Sequence, residues 1–197
     1  MKSNTPPILR AVYIILVPVV LLIILLNSGW LQRLLPAATV NGESYSVVRY
    51  NFYYFDYYNS FLEENEDRLD ELGYDPQKPD SEQSYDGIMT WKEFFMAAAE
   101  ESLAETAYYN ALAREAGYVF SSEELSPVDE RLAAEREFYS SFGLSAGNYY
   151  VSYYGAGMDL ERYTQELTLL VKGQAYKSHL TAEHQPAQAE LDALYER

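Results

Sequence analysis

Read by the alternation of apolar and polar positions, the chain divides into one long apolar run and a series of amphipathic segments. From residue 11 to 26 the sequence AVYIILVPVVLLIILL holds no charged side chain, and Gly29, Trp30 and Leu31 carry the apolar character past Asn27 and Ser28. A helix over 11–31, rising about 1.5 Å per residue, reaches about 31 Å, the thickness of a bilayer core. A transmembrane signal-anchor over 11–33 is therefore expected, meeting the lipid bilayer through 11–31. Pro18 is no obstacle in lipid, where neighbouring groups take up the freed carbonyl. Lys2 and Arg10 precede the run and only Arg33 follows it closely. By the positive-inside rule residues 1–10 are then cytoplasmic, and the rest is extracytoplasmic in a single-pass cell-membrane protein. The alternative is a cleaved leader. Its apolar stretch is usually about 7–15 residues before a small-x-small site; here the run is longer, and Leu35 or Pro36 stands where a small residue is wanted.

Beyond the run, residues 37–46 (AATVNGESYS) alternate loosely around Asn41-Gly42, the strongest short hairpin signal, so a strand or small hairpin is expected. Helical periods follow. Ser46 caps a helix reaching to about Asp70, and a loop over 73–87 contains Pro76 and Pro79. Thr90 with Glu93 forms a capping box opening a helix from Trp91 to about Ala116, which Gly117 stops. Ser121 with Glu124 repeats the box, but Pro127 is expected to break that segment into a turn and a main helix over 128–142. A short segment follows Ser145. Next, Leu160, Tyr163, Leu167, Leu170 and Val171 mark one face of a helix over 159–181, and Gln185-Pro186 starts a last helix. The fold class is mainly α: an N-terminal transmembrane helix, then a multi-helix domain over 38–197 with a short β-hairpin or strand.

The helix after Ser46 is apolar on nearly every side. At about 100° per residue, Val48, Phe52, Phe55 and Leu62 fall on one side, and Tyr50, Tyr53, Tyr54, Tyr57, Tyr58 and Phe61 cover the other. Only Arg49, Asp56, Ser60 and Glu63 form a polar seam. Such a helix is wrapped by partners. The sharper reading gives some of the rings to a groove for a peptide, because tyrosine combines apolar area with a hydroxyl. Tyr149, Tyr150, Tyr153 and Tyr154 form a second cluster, read as core edge.

Composition narrows the function. The chain has no Cys, which removes disulfides, thiolate metal sites and cysteine nucleophiles. Fourteen cations face 30 acids in the whole chain for a net charge of −16, and with Lys2, Arg10 and Arg33 set aside residues 34–197 carry −19. A surface so acidic repels phosphate backbones, so no nucleic acid is expected. Gly143-Leu144-Ser145-Ala146-Gly147 matches the G-x-S-x-G elbow of hydrolases, but that motif needs a strand before the serine, where residues 136–142 read as helix. Gly143 is better read as a helix stop and Ser145 as a cap. His179 and His184, five apart, do not share a helical face, and Asp80, Glu82 and Asp86 miss the EF-hand spacing. The acids from Glu63 to Glu71 read as a solvated helix end. No catalytic residues, metal site or cofactor are expected.

The order of several weak motifs resembles the N-terminal chaperone domain of the SurA and PrsA foldases. They are Val40-Asn41-Gly42-Glu43 with Tyr45-Ser46, Ala116-Gly117-Tyr118, Ser121-Ser122-Glu123-Glu124, Phe142-Gly143-Leu144-Ser145, Gly155-Ala156-Gly157-Met158, Arg162-Tyr163 and the segment over 187–195. The resemblance covers nearly all of 38–197. It implies an extracytoplasmic chaperone that holds unfolded or newly exported polypeptides by aromatic contacts. In such foldases a parvulin peptidyl-prolyl isomerase domain commonly follows; residues up to Arg197 leave no room for one, and the PrsA lipobox cysteine is missing. Tyr53, Tyr54, Tyr57, Tyr58, Trp91 and Phe95 are the candidate client-binding residues. The alternatives are a peptidyl-prolyl isomerase whose parvulin domain lies beyond Arg197, and a cell-surface scaffold with one dedicated protein partner.

Overall fold

The structure, a computed structural model, describes residues 16–20, 23, 29–40 and 42–183. Among them the elements run α1 (Trp30–Leu34), β1 (Pro36–Val40), β2 (Glu43–Ser46), α2 (Val47–Glu64), α3 (Trp91–Glu115), α4 (Ser122–Ser141), α5 (Ala146–Tyr154) and α6 (Leu160–Glu183), with 3-10 turns at Glu66–Arg68 and Asp80–Glu82. The protein is mainly helical with one two-stranded antiparallel sheet.

The membrane-spanning helix expected over 11–33 is not supported. Among the described residues no helix is long and apolar enough to cross a membrane. Gly29 takes φ 71° and ψ 3°, a left-handed conformation that ends any right-handed helix running into it, and the five-residue α1 starts afresh at Trp30. Residues 16–20 and 23 are helical, and the remainder of the expected span, 11–15, 21–22 and 24–28, lies outside the described residues. The single-pass placement, with a cytoplasmic N-terminus and an extracytoplasmic domain, loses its support with the helix. Instead α1 lies against the α5–α6 loop. A Cβ on Gly29 would come within 2.2 Å of the Gly157 nitrogen, so only glycine permits the approach, and Arg33 Nε donates to the Gly157 carbonyl at 3.1 Å.

The hairpin forms where the Asn41-Gly42 signal places it, with Val40 opposite Glu43 and an irregularity between Pro36 and Ala38. Ser46 caps α2 by accepting from the Arg49 N–H. That helix ends at Glu64 rather than near Asp70. Acids crowd its end, no basic side chain complements the dipole of its last turn, and Asn65 donates from both backbone and side chain to the Phe61 carbonyl. Helices α3 and α4 each open with a complete capping box, Thr90 with Glu93 and Ser121 with Glu124. Each closes on a glycine at positive φ, Gly117 and Gly143, in the paired carbonyl contacts of a Schellman motif.

Pro127 does not break α4. It sits near the helix start on the exposed side, where the carbonyl it leaves unbonded, that of exposed Glu123, meets water. The helix expected from Gln185-Pro186 and the segment over 187–195 lie outside the described residues. Helix α2 is central: α3, α5 and α6 pack around it together with the hairpin and α1. Phe52, Tyr150 and Tyr163 are fully buried at the middle of this core, while a second cluster gathers on Tyr74, Trp91 and Phe95. Gly173 of α6 lets α3 approach closely, and Asn110 ties the two helices by donating to the Thr106 and Leu169 carbonyls at 2.8 Å each.

Candidate functional site

The candidate client-binding residues separate once the chain is folded. Tyr53 is 2% exposed, Trp91 1% and Phe95 0%. Tyr53 belongs to the main core, where burial raises its pKa and its hydroxyl faces Glu166 at 3.4 Å. Trp91 and Phe95 found the second cluster, and half-buried Tyr54, Tyr57 and Tyr58 pack onto it. Tyr58 meets Phe95 edge-on at 5.0 Å, and its hydroxyl bonds that of Tyr74 at 3.1 Å. Loop 73–87 closes over these rings. Gln83 fixes the loop: its amide oxygen accepts from the Asp75 N–H at 2.7 Å, and its amide nitrogen donates to the Asp75 and Lys78 carbonyls. In this arrangement the rings face one another.

A cluster of exposed rings lies elsewhere, on α4 and α5. Phe138 and Phe142 sit one turn apart on α4 and its C-cap, with ring centroids 5.0 Å apart, and Phe142 is 67% exposed. Tyr149 and Tyr153 of α5 stand against Phe138 at 6.1 and 6.2 Å. Beside them runs an open groove of about 690 Å³ between α2, α4 and α5, lined by Phe138, Tyr149 and Tyr153 together with Asn59 and with Asp56, Ser60 and Glu63 from the polar seam of α2.

The groove floor is a charged network. Arg131 of α4 contacts Asp56 at 2.5 Å, Glu135 at 3.4 Å and the Tyr154 hydroxyl at 3.3 Å. Glu135 also accepts from the hydroxyls of Tyr150, at 2.9 Å, and Tyr163. Burial raises the pKa of Tyr150 and Tyr163, with Glu135 adding to it, so both phenols stay protonated donors. Burial pushes Tyr154 up to about 12, with the Arg131 charge working against the rise. Desolvation opposes the Arg131 charge as well, but Asp56, Tyr163 and Tyr154 together outweigh it and the guanidinium pKa rises. The phenols of Tyr150, Tyr154 and Tyr163 therefore stay neutral and Arg131 stays charged near neutral pH.

The motifs that hint at chemistry are structural. Ser145 caps α5 by accepting from the Asn148 N–H, and it follows a helix rather than a strand, so the G-x-S-x-G match is a helix stop and a cap. Asp80 accepts from the Tyr74 hydroxyl at 2.7 Å, and Asp86 accepts from the Ile88 and Met89 N–H groups. His179 lies tilted against Tyr118, ring centroids 4.6 Å apart, and 3.4 Å from Glu183, and His184 is outside the described residues. Among the described residues no cluster of acids and histidines is arranged to hold a metal.

The α5 tyrosines, expected at the edge of the core, divide: Tyr149, Tyr150 and Tyr154 are buried within it, and Tyr153 is at the surface. Phe138 escaped notice. Its signal was present as Phe138 and Phe142 at i and i+4 within an otherwise charged helix, whose apolar residues are too few to demand burial on both faces. No family model matches the chain, no curated protein matches it and no solved structure matches it, so nothing in these comparisons identifies a SurA- or PrsA-type fold.

Proposed function

We propose that this protein is a non-enzymatic holder of unfolded polypeptide segments, and that the aromatic groove between α2, α4 and α5 is where it holds them. The observation that carries the reading is the exposed rings of Phe138, Phe142 and Tyr153 beside an open groove of about 690 Å³. Exposed rings grouped around a groove are a feature of surfaces that bind other chains. Each ring adds apolar contact at about 25 cal/mol/Å², with little loss of side-chain freedom because neighbouring rings already restrain it. The order of motifs resembling the SurA and PrsA foldases supports the same reading. Net charge −16 keeps such an apolar surface from self-association.

The test is suppression of aggregation of a chemically unfolded client, followed by light scattering. The wild-type protein is expected to delay aggregation at near-stoichiometric ratios, and the double variant Phe138→Ser/Tyr153→Ser to lose most of that effect while keeping its far-UV spectrum. Equal suppression by wild type and variant would refute the assignment of the groove. No suppression by either would refute the holding function.

A further inference from the structure

We infer that the groove selects polypeptide segments in which a lysine or arginine stands next to apolar or aromatic side chains; this rests on the polypeptide-holding reading and specifies its substrate class. The inference comes from the charge of the groove. Three carboxylates line it, those of Asp56, Glu63 and Glu135, against the single cation Arg131. Arg131 is engaged, with Asp56 on one side and Glu135 on the other. It therefore offers little to an incoming acidic group. Glu63 is exposed at the end of α2, and no described residue makes an ion pair or hydrogen bond with its carboxylate. The groove thus has a net negative lining beside aromatic walls.

A neutral apolar segment entering this groove covers the rings but strips water from the Glu63 carboxylate without replacing it. A segment with an ammonium or guanidinium replaces that water with a charge-assisted hydrogen bond. Its methylene stem then lies along the ring of Phe138 or Tyr153, and its charge is attracted by the ring face. An acidic segment meets like charge from the groove and from the whole chain, which carries −16. Ring walls and carboxylates therefore favour the same kind of side chain, one with an apolar stem and a positive head.

The experiment uses three labelled unstructured peptides of equal length and equal apolar content, differing only in carrying lysine and arginine, neutral polar residues or glutamate. Binding is read by fluorescence anisotropy at low salt. The basic peptide is expected to bind about tenfold more tightly than the neutral one. The ratio should fall towards one at about 0.5 M salt, where charges more than a few ångströms apart are screened. Glu63→Gln should remove a large part of the ratio and leave the neutral peptide's affinity unchanged. Glu115→Gln, an exposed acid at the far end of α3 and outside the groove, should leave both unchanged. If basic and neutral peptides bind equally, and Phe138→Ser weakens both, the holding function stands and the cationic preference is overturned. A preference that survives Glu63→Gln and Phe138→Ser unaltered belongs to the net charge of the protein, and overturns the assignment to the groove. If no peptide binds, both readings fall.

Discussion

Around Trp91 the rings of Tyr74, Phe61, Phe94 and Phe95 lie with centroids 5.0–5.7 Å away. Around Phe138 the rings of Phe142, Tyr149 and Tyr153 lie 5.0–6.2 Å away. Ring spacing is nearly the same in the two regions, and what differs is the cover. Loop 73–87 wraps the first set, with Tyr74 and Tyr85 closing on Trp91 and Gln83 stapling the loop to itself. The second set has a charged floor beneath it and no segment above it among the described residues. Aromatic clustering alone therefore does not distinguish a closed core from an open surface. The deciding feature is whether the chain spends a loop on the exposed faces of the rings.

That distinction can be broken at its most extreme point. Trp91→Ala empties the middle of the closed cluster and is expected to cost about 3–5 kcal/mol, the range for removing a buried large aromatic side chain. Urea unfolding followed by far-UV circular dichroism measures it. A loss under about 1 kcal/mol would mean that the closed cluster is as dispensable to the fold as a surface patch. Next in size is removal of the cover. Gln83→Ala deletes three hydrogen bonds to the backbone of the loop, and a cost of about 2 kcal/mol is expected. Trp91 should then become accessible to an aqueous quencher, turning the closed cluster into a second open one. Trp30 is exposed in any case, so the readout is the appearance of a second quenchable population.

These contrasts also explain how far the amino-acid pattern carried. The helix starting at Trp91 was legible because it is marked at both ends by residues acting within one turn, Thr90 with Glu93 at the start and Gly117 at the stop; the helix starting at Ser122 carries the same marks in Ser121 with Glu124 and in Gly143, but Pro127 masked its continuity, because a proline one turn in costs only a carbonyl that water can reach. The hairpin was legible for the same local reason. The burial of the α2 helix followed from its ring of aromatic side chains. Which rings would remain outside was not legible, because periodicity shows that Tyr57 and Phe138 lie on apolar faces but not which face a loop covers. Tyr74 and Gln83, which decide it for Tyr57 and Trp91, stand in a proline-containing loop whose composition predicts only irregularity. The apolar run over 11–31 misled for a related reason: hydropathy sums residues and is blind to one backbone angle, and Gly29 at φ 71° separates what precedes it from the helix that starts at Trp30. Gly173, needed where α3 and α6 approach, looks in the sequence like an ordinary weak point of a helix.

A pH titration separates the helices that carry the two regions, with a smaller effect. Glu124 at the start of α4 accepts from the Tyr118 hydroxyl and from the N–H and hydroxyl of Ser121, and these donors push its pKa down to about 2. Glu93 at the start of α3 is also lowered, by the Thr90 N–H and hydroxyl. A carboxyl with a depressed folded-state pKa stabilises fully above its unfolded value of 4.5, and the contribution disappears as pH falls towards the folded value. Acid should therefore loosen both helix starts. At α3 the next residue, Trp91, is buried, so the loss is shared with the whole closed cluster and appears as lower global stability. At α4 the first turn is exposed, and the loss should appear as faster local hydrogen exchange around 122–126 before the protein unfolds. Carboxyl chemical shifts followed by NMR from pH 6 to about 2 give both values, and a Glu124 midpoint near 4.5 would contradict the hydrogen-bonded geometry.

The smallest effect is the most discriminating. Phe142 is 67% exposed and touches Phe138 from outside, so Phe142→Ser removes one ring contact and little buried area. An exposed substitution of this kind is expected to change unfolding free energy by no more than about 0.5 kcal/mol. The backbone at this point does not need the ring, because the C-terminal turn of α4 is held by the Gly143 and Leu144 N–H groups on the Ser140 and Tyr139 carbonyls. If urea unfolding shows a cost above about 1 kcal/mol, the exposed rings of Phe142 and Phe138 are part of the core after all, and the two aromatic regions are one kind of structure. If the cost stays within the expected limit, the exposed ring contributes nothing the fold requires, and it is free to serve the holding of polypeptide segments proposed for the groove.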